Sequence, residues 1–190
     1  MMSTSRVLFV GLFWLLAFGT HAQALTQYDK FEIKEGELVW QNTYECSGRA
    51  DSIRAAIVQM LKSKYYTFNV IRNELGYNGE LKHYRVNCKK YGKSYFNTPR
   101  IYCDGDWTGK FILEIKDHAY RVVVYALYFE SVRMGTDYLR TEREVKGRYV
   151  EVVTTKSGSE FRKKELQHLS LMSLSLRDEF NLASTVYVNE

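Results

Sequence analysis

One stretch constrains the fold more than any other. Ala119–Glu130 reads AYRVVVYALYFE. In an extended chain, Tyr120, Val122, Val124, Ala126 and Tyr128 share one side, and Arg121, Val123, Tyr125, Leu127 and Phe129 share the other. Both sides are largely apolar, and β-branched and aromatic residues fit a pleated surface. The reading is a long strand in the middle of a sheet. Its neighbour precedes it: Trp107–Lys116 (WTGKFILEIK) alternates, with Phe111, Leu113 and Ile115 on one face. Asp117-His118 is the tight connection between them.

The flanking chain supplies the other elements. Thr26–Glu35 is a short leading segment, and Gly36–Cys46 a first strand with Leu38 and Trp40 on one face and Val39 on the other, broken at Ser47-Gly48. Asp51–Lys64 predicts a helix, because Ile53, Ala56, Ile57, Met60 and Leu61 recur at helical spacing. Ser47 or Asp51 is its N-cap candidate. Phe68–Leu75 is a second strand, Gly76–Gly79 a turn, and Glu80–Lys89 a third strand with Lys82, Tyr84, Val86 and Cys88 toward the core. Lys90–Asp106 is irregular and holds the single proline, Pro99. Ser131–Glu144 reads as a loop, and Val145–Thr155 leaves a further strand open. Ser157–Glu160 has the S-x-x-E form of a capping box. It starts a helix over about 159–182, striped by Leu166, Leu169, Met172, Leu176 and Phe180. Strand, helix, run of strands, helix is an α+β order. No internal repeat or linker divides it, so 25–190 is one domain.

The first 24 residues are read as a signal peptide. Arg6 supplies the positive start, Val7–Gly19 is uncharged and apolar, and Ala22 and Ala24 stand in an A-x-A arrangement. Cleavage is expected after Ala24, with Ala22 as competitor. The apolar run is short of the roughly 20 residues that span a bilayer, and no other long apolar stretch follows, so no transmembrane segment is expected in the mature chain. The expected location is periplasmic or secreted. Net charge is +5, of which Arg6 carries one. So mild an excess demands no polyanionic partner, and no nucleic acid is expected. Export permits disulfides. Of Cys46, Cys88 and Cys103, the favoured pair is Cys88–Cys103; the alternative keeps all three as buried thiols.

The arrangement resembles a bacterial family, the exported domain of unknown function with a TBP-like fold. The likeness rests on Gly36–Trp40 (GELVW) leading into the Asp51 helix, on Phe68–Glu74 (FNVIRNE) before a glycine turn, and on the hairpin Gly109–Val124 (GKFILEIKDHAYRVVV). It covers about residues 36–130, with the last helix completing the fold. It implies a curved antiparallel sheet in β-α-β-β-β-β-α order, helices packed on one face, and an exported location. It implies no activity and no site residues.

Chemistry is thinly marked. There is no G-x-S-x-G, H-E-x-x-H, P-loop or G-x-G-x-x-G. His83, His118 and His168 read as satisfied surface histidines. Asp104 and Asp106 flank Gly105 beside Trp107, an arrangement open to calcium or acid–base work, though turns favour aspartate anyway. From Lys82 to Tyr102, cations interleave with aromatics, which suits either a stacking surface or a lysine-protected sheet edge. Tyr95, Phe96, Tyr102 and Trp107 are the binding candidates. Arg121 is expected to pair with an acidic residue on a neighbouring strand. No catalytic residue, metal or cofactor is assigned. The expected function is an exported, non-catalytic binding or interaction module of the bacterial cell envelope, its partner an envelope protein or small ligand. The alternatives are a lipocalin-like small-ligand carrier and an uncharacterised exported enzyme.

Overall fold

The computed structural model describes residues 24–94, 96–134 and 143–184. The expected signal peptide therefore lies outside the described residues, all but Ala24. Among these residues, eight strands form one antiparallel sheet: β1 (Gln27–Tyr28), β2 (Phe31–Lys34), β3 (Glu37–Glu45), β4 (Thr67–Arg72), β5 (Gly76–Tyr84), β6 (Asp106–Lys116), β7 (Ala119–Met134) and β8 (Arg143–Arg148). Their order is β1-β2-β3-β7-β6-β5-β4, with β8 paired to the far end of β7. The helices are α1 (Ala50–Ser63), α2 (Arg100–Cys103), α3 (Tyr149–Val153) and α4 (Leu166–Glu179). The sheet is curved, the helices lie on one side of it, and the class is α+β.

The two-faced run is indeed the central strand, but the sheet is covered on one face only. Tyr120, Val122 and Val124 point into the core, and so do Leu127 and Phe129. The switch of parity falls at Ala126, whose φ is +51°. This residue is a bulge, and a bulge moves every later side chain to the opposite face. Apolar residues on both sides of the run thus record a change of side, not burial on both. Gly109 lies across from the bulge. A Cβ there would stand 3.0 Å from Leu127 Cδ2, so its absence makes the room Leu127 fills.

The same device reshapes β5. Tyr77 and Leu81 face the core, then His83 adopts φ +55°, and Tyr84 and Val86 face it after the bulge. The expected inward face is correct from Tyr84 onward and wrong for Lys82. Gly76–Gly79 is strand, not turn. The turn sits earlier, where Asn73 Oδ1 accepts from the Gly76 N–H at 2.7 Å. Gly79 is needed because the Phe111 ring lies 2.4 Å from where its Cβ would be.

Other boundaries moved for local reasons. Helix α1 takes no cap from Ser47 or Asp51; Asp117 Oδ1, in the β6–β7 turn, accepts from the Ala50 N–H at 2.7 Å. The expected Ser131–Glu144 loop is strand at both ends, through Met134 and from Arg143. Residues beyond Arg148 form α3 rather than more strand. Ser157 caps no helix: its hydroxyl pairs with that of Ser159 at 2.7 Å inside a turn that Thr154 and Phe161 close. Helix α4 starts only at Leu166.

Helix α4 is buried on more than one stripe. Leu169, Leu171, Met172 and Leu176 are all buried, together with Ser173 and Ser175. The two serines meet the polar ends of core aromatics. Trp40 Nε1 donates to Ser173 Oγ at 3.2 Å, and the Tyr84 hydroxyl pairs with that of Ser175. Beyond the helix, Tyr120 donates to the Phe180 carbonyl at 2.6 Å and accepts from the Leu182 N–H at 3.1 Å. One buried hydroxyl holds the segment that follows α4 to the middle of the sheet.

Ala126 in a left-handed conformation carries a penalty of roughly 1–2 kcal/mol that glycine does not. Ala126→Gly should therefore raise unfolding stability by about 0.5–1 kcal/mol in urea. A lower midpoint would remove the bulge from its place in the register.

Candidate functional site

The residues marked from sequence separate. Tyr95 lies outside the described residues. Phe96 is 99% exposed. Tyr102 and Trp107 are fully buried, which corrects their reading as binding candidates. Tyr102 sits on the inner side of α2, stacked on His168 at 4.8 Å, and Trp107 packs edge-on to Tyr149 at 4.9 Å. A disulfide joins Cys88 to Cys103 and closes the segment between β5 and β6. Closing a loop of that length stabilises by about 3 kcal/mol in the chain-entropy model. Cys46 is free and half-buried, and burial raises its thiol above the ordinary value, the opposite of what a nucleophilic thiolate needs.

The basic and aromatic run from Lys82 to Tyr102 does not act as one surface. Three of its cations find local partners. Lys82 pairs with Glu80 at 3.0 Å, Lys90 with Asp178 at 2.8 Å, and Arg85 with Asp106. Asp106 also lies 3.8 Å from His83 Nδ1, so this carboxylate of the Asp104–Asp106 pair is engaged with cations. His168 is buried, not on the surface. Its Nδ1 lies 3.1 Å from Glu165 Oε2, the same oxygen that accepts from the Tyr102 hydroxyl at 3.3 Å. Among the described residues, no cluster of three or more His, Cys, Asp or Glu is arranged to hold a metal ion.

The uncovered face of the sheet carries several ion pairs. Arg121 donates through Nε and Nη2 to Glu114 at 3.1 and 2.7 Å, Lys34 pairs with Glu32 at 2.7 Å, and Arg148 with Glu37. Exposed pairs of this kind contribute about 0–1 kcal/mol each and keep a face solvated. A shallow cleft of about 390 Å³ lies there, between the β1–β2 hairpin and Gln41, Asn42, Thr43 and Arg121.

The apolar anomaly is elsewhere, at β4. Helix α1 ends, Tyr65 and Tyr66 turn the chain, and Thr67 Oγ1 donates back to the Leu61 and Lys64 carbonyls at 2.9 and 3.0 Å. This fastens the start of β4 to the last turn of the helix. β4 ends the sheet: β5 pairs one side of it, and among the described residues no strand pairs the other. Asn69, at φ +50°, marks a bulge between Phe68 and Ile71. Phe68 and Ile71 pair with Glu80 and Asn78 and share their uncovered face, whereas Val70 turns toward α1. A groove of about 380 Å³ runs between helix and strand, walled by Val58, Leu61, Val70 and Tyr77, with Lys62, Lys64 and Thr67 at its rim. Large apolar side chains crowd this edge: Tyr65 is 79% exposed, Ile71 67% and Leu75 62%, with Phe68 and Val70 near 40%. Native sheet edges are ordinarily blunted by charge, proline or cover, and exposed apolar patches mark interaction sites. The signal was present in Phe68–Leu75, apolar on both faces with Arg72 and Glu74 its only charges.

No family model and no curated protein matches the chain. Two solved structures are similar to it. One is a TBP-like protein from Parabacteroides distasonis ATCC 8503, at 14% identity and a TM-score of 0.48, over 85% of this chain and 94% of that one. The other is a DUF4468 family protein from Bacteroides ovatus ATCC 8483, at 13% identity and a TM-score of 0.44, over 82% and 93%. Neither likeness says anything of a ligand or an activity.

The Arg85 guanidinium bonded to Asp106 holds its carboxyl below the ordinary 3.8. A carboxyl depressed in the folded state stabilises above its unfolded value, and that contribution is lost as pH falls through the folded value. Arg85→Gln should move the Asp106 midpoint upward in a carboxyl NMR titration. An unmoved midpoint would show that the pair does not form in solution.

Proposed function

We propose that this chain is an exported, non-catalytic interaction module of the bacterial cell envelope, and that it takes an extended segment of a partner protein along edge strand β4. The observation that carries the reading is the unpaired, apolar edge of β4 beside a preformed groove. Strand addition uses both features. Main-chain hydrogen bonds to the open edge supply affinity, and pockets for alternate side chains supply selectivity. Export is supported by the charged, apolar and small-residue regions of the first 24 residues. Among the described residues no helix is long and apolar enough to cross a membrane.

The lipocalin-like alternative is not favoured. An up-and-down barrel has no sheet ends, whereas this sheet runs from β1 to β4 with α1 inserted after β3.

Two measurements test the reading. The mature protein should be recovered from the periplasmic fraction with Leu25 at its N-terminus; an uncleaved chain in the cytoplasm would end it. A photo-crosslinking residue at Ile71 should capture one envelope protein through an extended segment. Capture should be lost when Val70 is also replaced by lysine, a surface change expected to alter stability by no more than about 0.5 kcal/mol. Equal capture from a control position at Glu151 would refute the edge as the site.

A further inference from the structure

We infer that the segment taken at β4 is acidic, with carboxylate side chains two residues to either side of an apolar anchor. The inference rests on the reading of β4 as a strand-accepting edge and adds the chemistry of its partner.

Three residues of α1 carry it. Arg54, Val58 and Lys62 stand at i, i+4 and i+8, so they form one stripe along the helix. Val58 and Lys62 line the groove, and Arg54 continues the stripe one turn toward the helix start. Arg54 Nε and Nη1 are buried and have no hydrogen-bond partner among the described residues. The Arg54 side chain as a whole is half-buried, and two of its donors are shielded without an acceptor, an arrangement that an incoming carboxylate would relieve. Lys62 is exposed at the groove rim, and no ion pair occupies it among the described residues. Lys64, by contrast, is already tied to Glu179.

The spacing selects the partner. Four helical residues advance about 6 Å. Two residues of an extended chain advance about 6.6 Å and return a side chain to the same face. An apolar side chain seated against Val58, Leu61 and Val70 thus brings the side chains two positions before and after it to Arg54 and Lys62. Both are cations, and the arginine fork suits a carboxylate. A second copy of this chain fits poorly. Its own edge, TFNVIR, carries Arg72 and no carboxylate, and would set a cation among cations.

The test uses the mature full-length protein and two seven-residue peptides, acetylated and amidated so that no terminal carboxylate contributes. One alternates threonine with Glu, Val and Glu; its twin has Gln in place of both Glu. Binding is read by calorimetry, and the bound face by amide shifts at Val58 and Val70. The acidic peptide should bind at least about tenfold more tightly. Arg54→Gln and Lys62→Gln should each narrow the gap, and added salt should do the same. Arg54→Lys keeps the charge without the fork and should fall between. Equal binding of the two peptides would overturn the acidic partner and leave the β4 edge standing. Failure of both peptides to shift Val70 would overturn the edge reading, and this inference with it. Should Arg54→Gln unfold, the Lys62→Gln comparison and the salt dependence still decide.

Discussion

The fold depends on a sheet that must bury one face while its longest strand supplies side chains to two regions of cover. Tyr120, Val122 and Val124 lie under one part of the helical layer, and Leu127 and Phe129 pack toward the other, where Phe129 meets Trp107 at 5.7 Å. A regular strand cannot do both, because its period is two. The left-handed residue at Ala126 resolves the conflict by inserting a half-step. His83 and Asn69 repeat the device in β5 and β4. Each bulge bends its strand and increases local twist, so the curvature of the sheet and the choice of inward side chains have one cause.

Covering that curved surface places polar atoms inside. The core is rich in Trp and Tyr, which bring apolar bulk with a polar tip that needs a partner when buried. Helix α4 answers with Ser173 for Trp40 and Ser175 for Tyr84. Tyr120 uses its hydroxyl twice, on Phe180 and Leu182, to end the helix against the sheet. At the other end of α4, Glu165 takes the Tyr102 hydroxyl and sits beside His168, linking the helix to α2 and so to the Cys88–Cys103 closure. The helix is therefore positioned by polar contacts as well as by its apolar stripe.

Much of this was legible. Period two in Trp107–Lys116 and period 3.6 in Asp51–Lys64 are strong local signals, and both elements lie where the pattern put them. What failed was parity and side. A bulge leaves no mark of its own in the sequence, so Ala126 read as one more member of a regular alternation and Lys82 as a core neighbour of Tyr84. Tyr102 and Trp107 were indistinguishable from exposed aromatics because their burial depends on α2, α3 and α4 meeting over β6, which is tertiary. The serines of α4 were invisible for the same reason: a polar residue in a helix reads as outward unless its buried partner is known. The β4 groove was half legible. The strand was visible, but its place at the end of the sheet was not, and only an end strand makes exposed Phe68 and Ile71 anomalous.

The two ends of the sheet are protected to different degrees. At the other end β1 has only two residues, follows into a turn at Asp29 with φ +54°, and leads to the Glu32–Lys34 pair. The chain just before it is engaged as well, since the Leu25 carbonyl accepts from the Phe161 N–H at 2.8 Å. Short length, charge and cover are the ordinary means of blunting an edge, and this chain uses all three there. β4 has six residues, exposes Phe68, Val70 and Ile71, and among the described residues has no cover beyond α1 at its flank. Its one concession is the bulge at Asn69, which breaks a long flat ladder into a short one. An edge of that kind resists indefinite sheet extension yet still accepts a short strand whose side chains fit the groove. On the proposed reading, this is how an edge with one specific partner would be built, and selectivity would then lie in the α1 stripe rather than in the backbone.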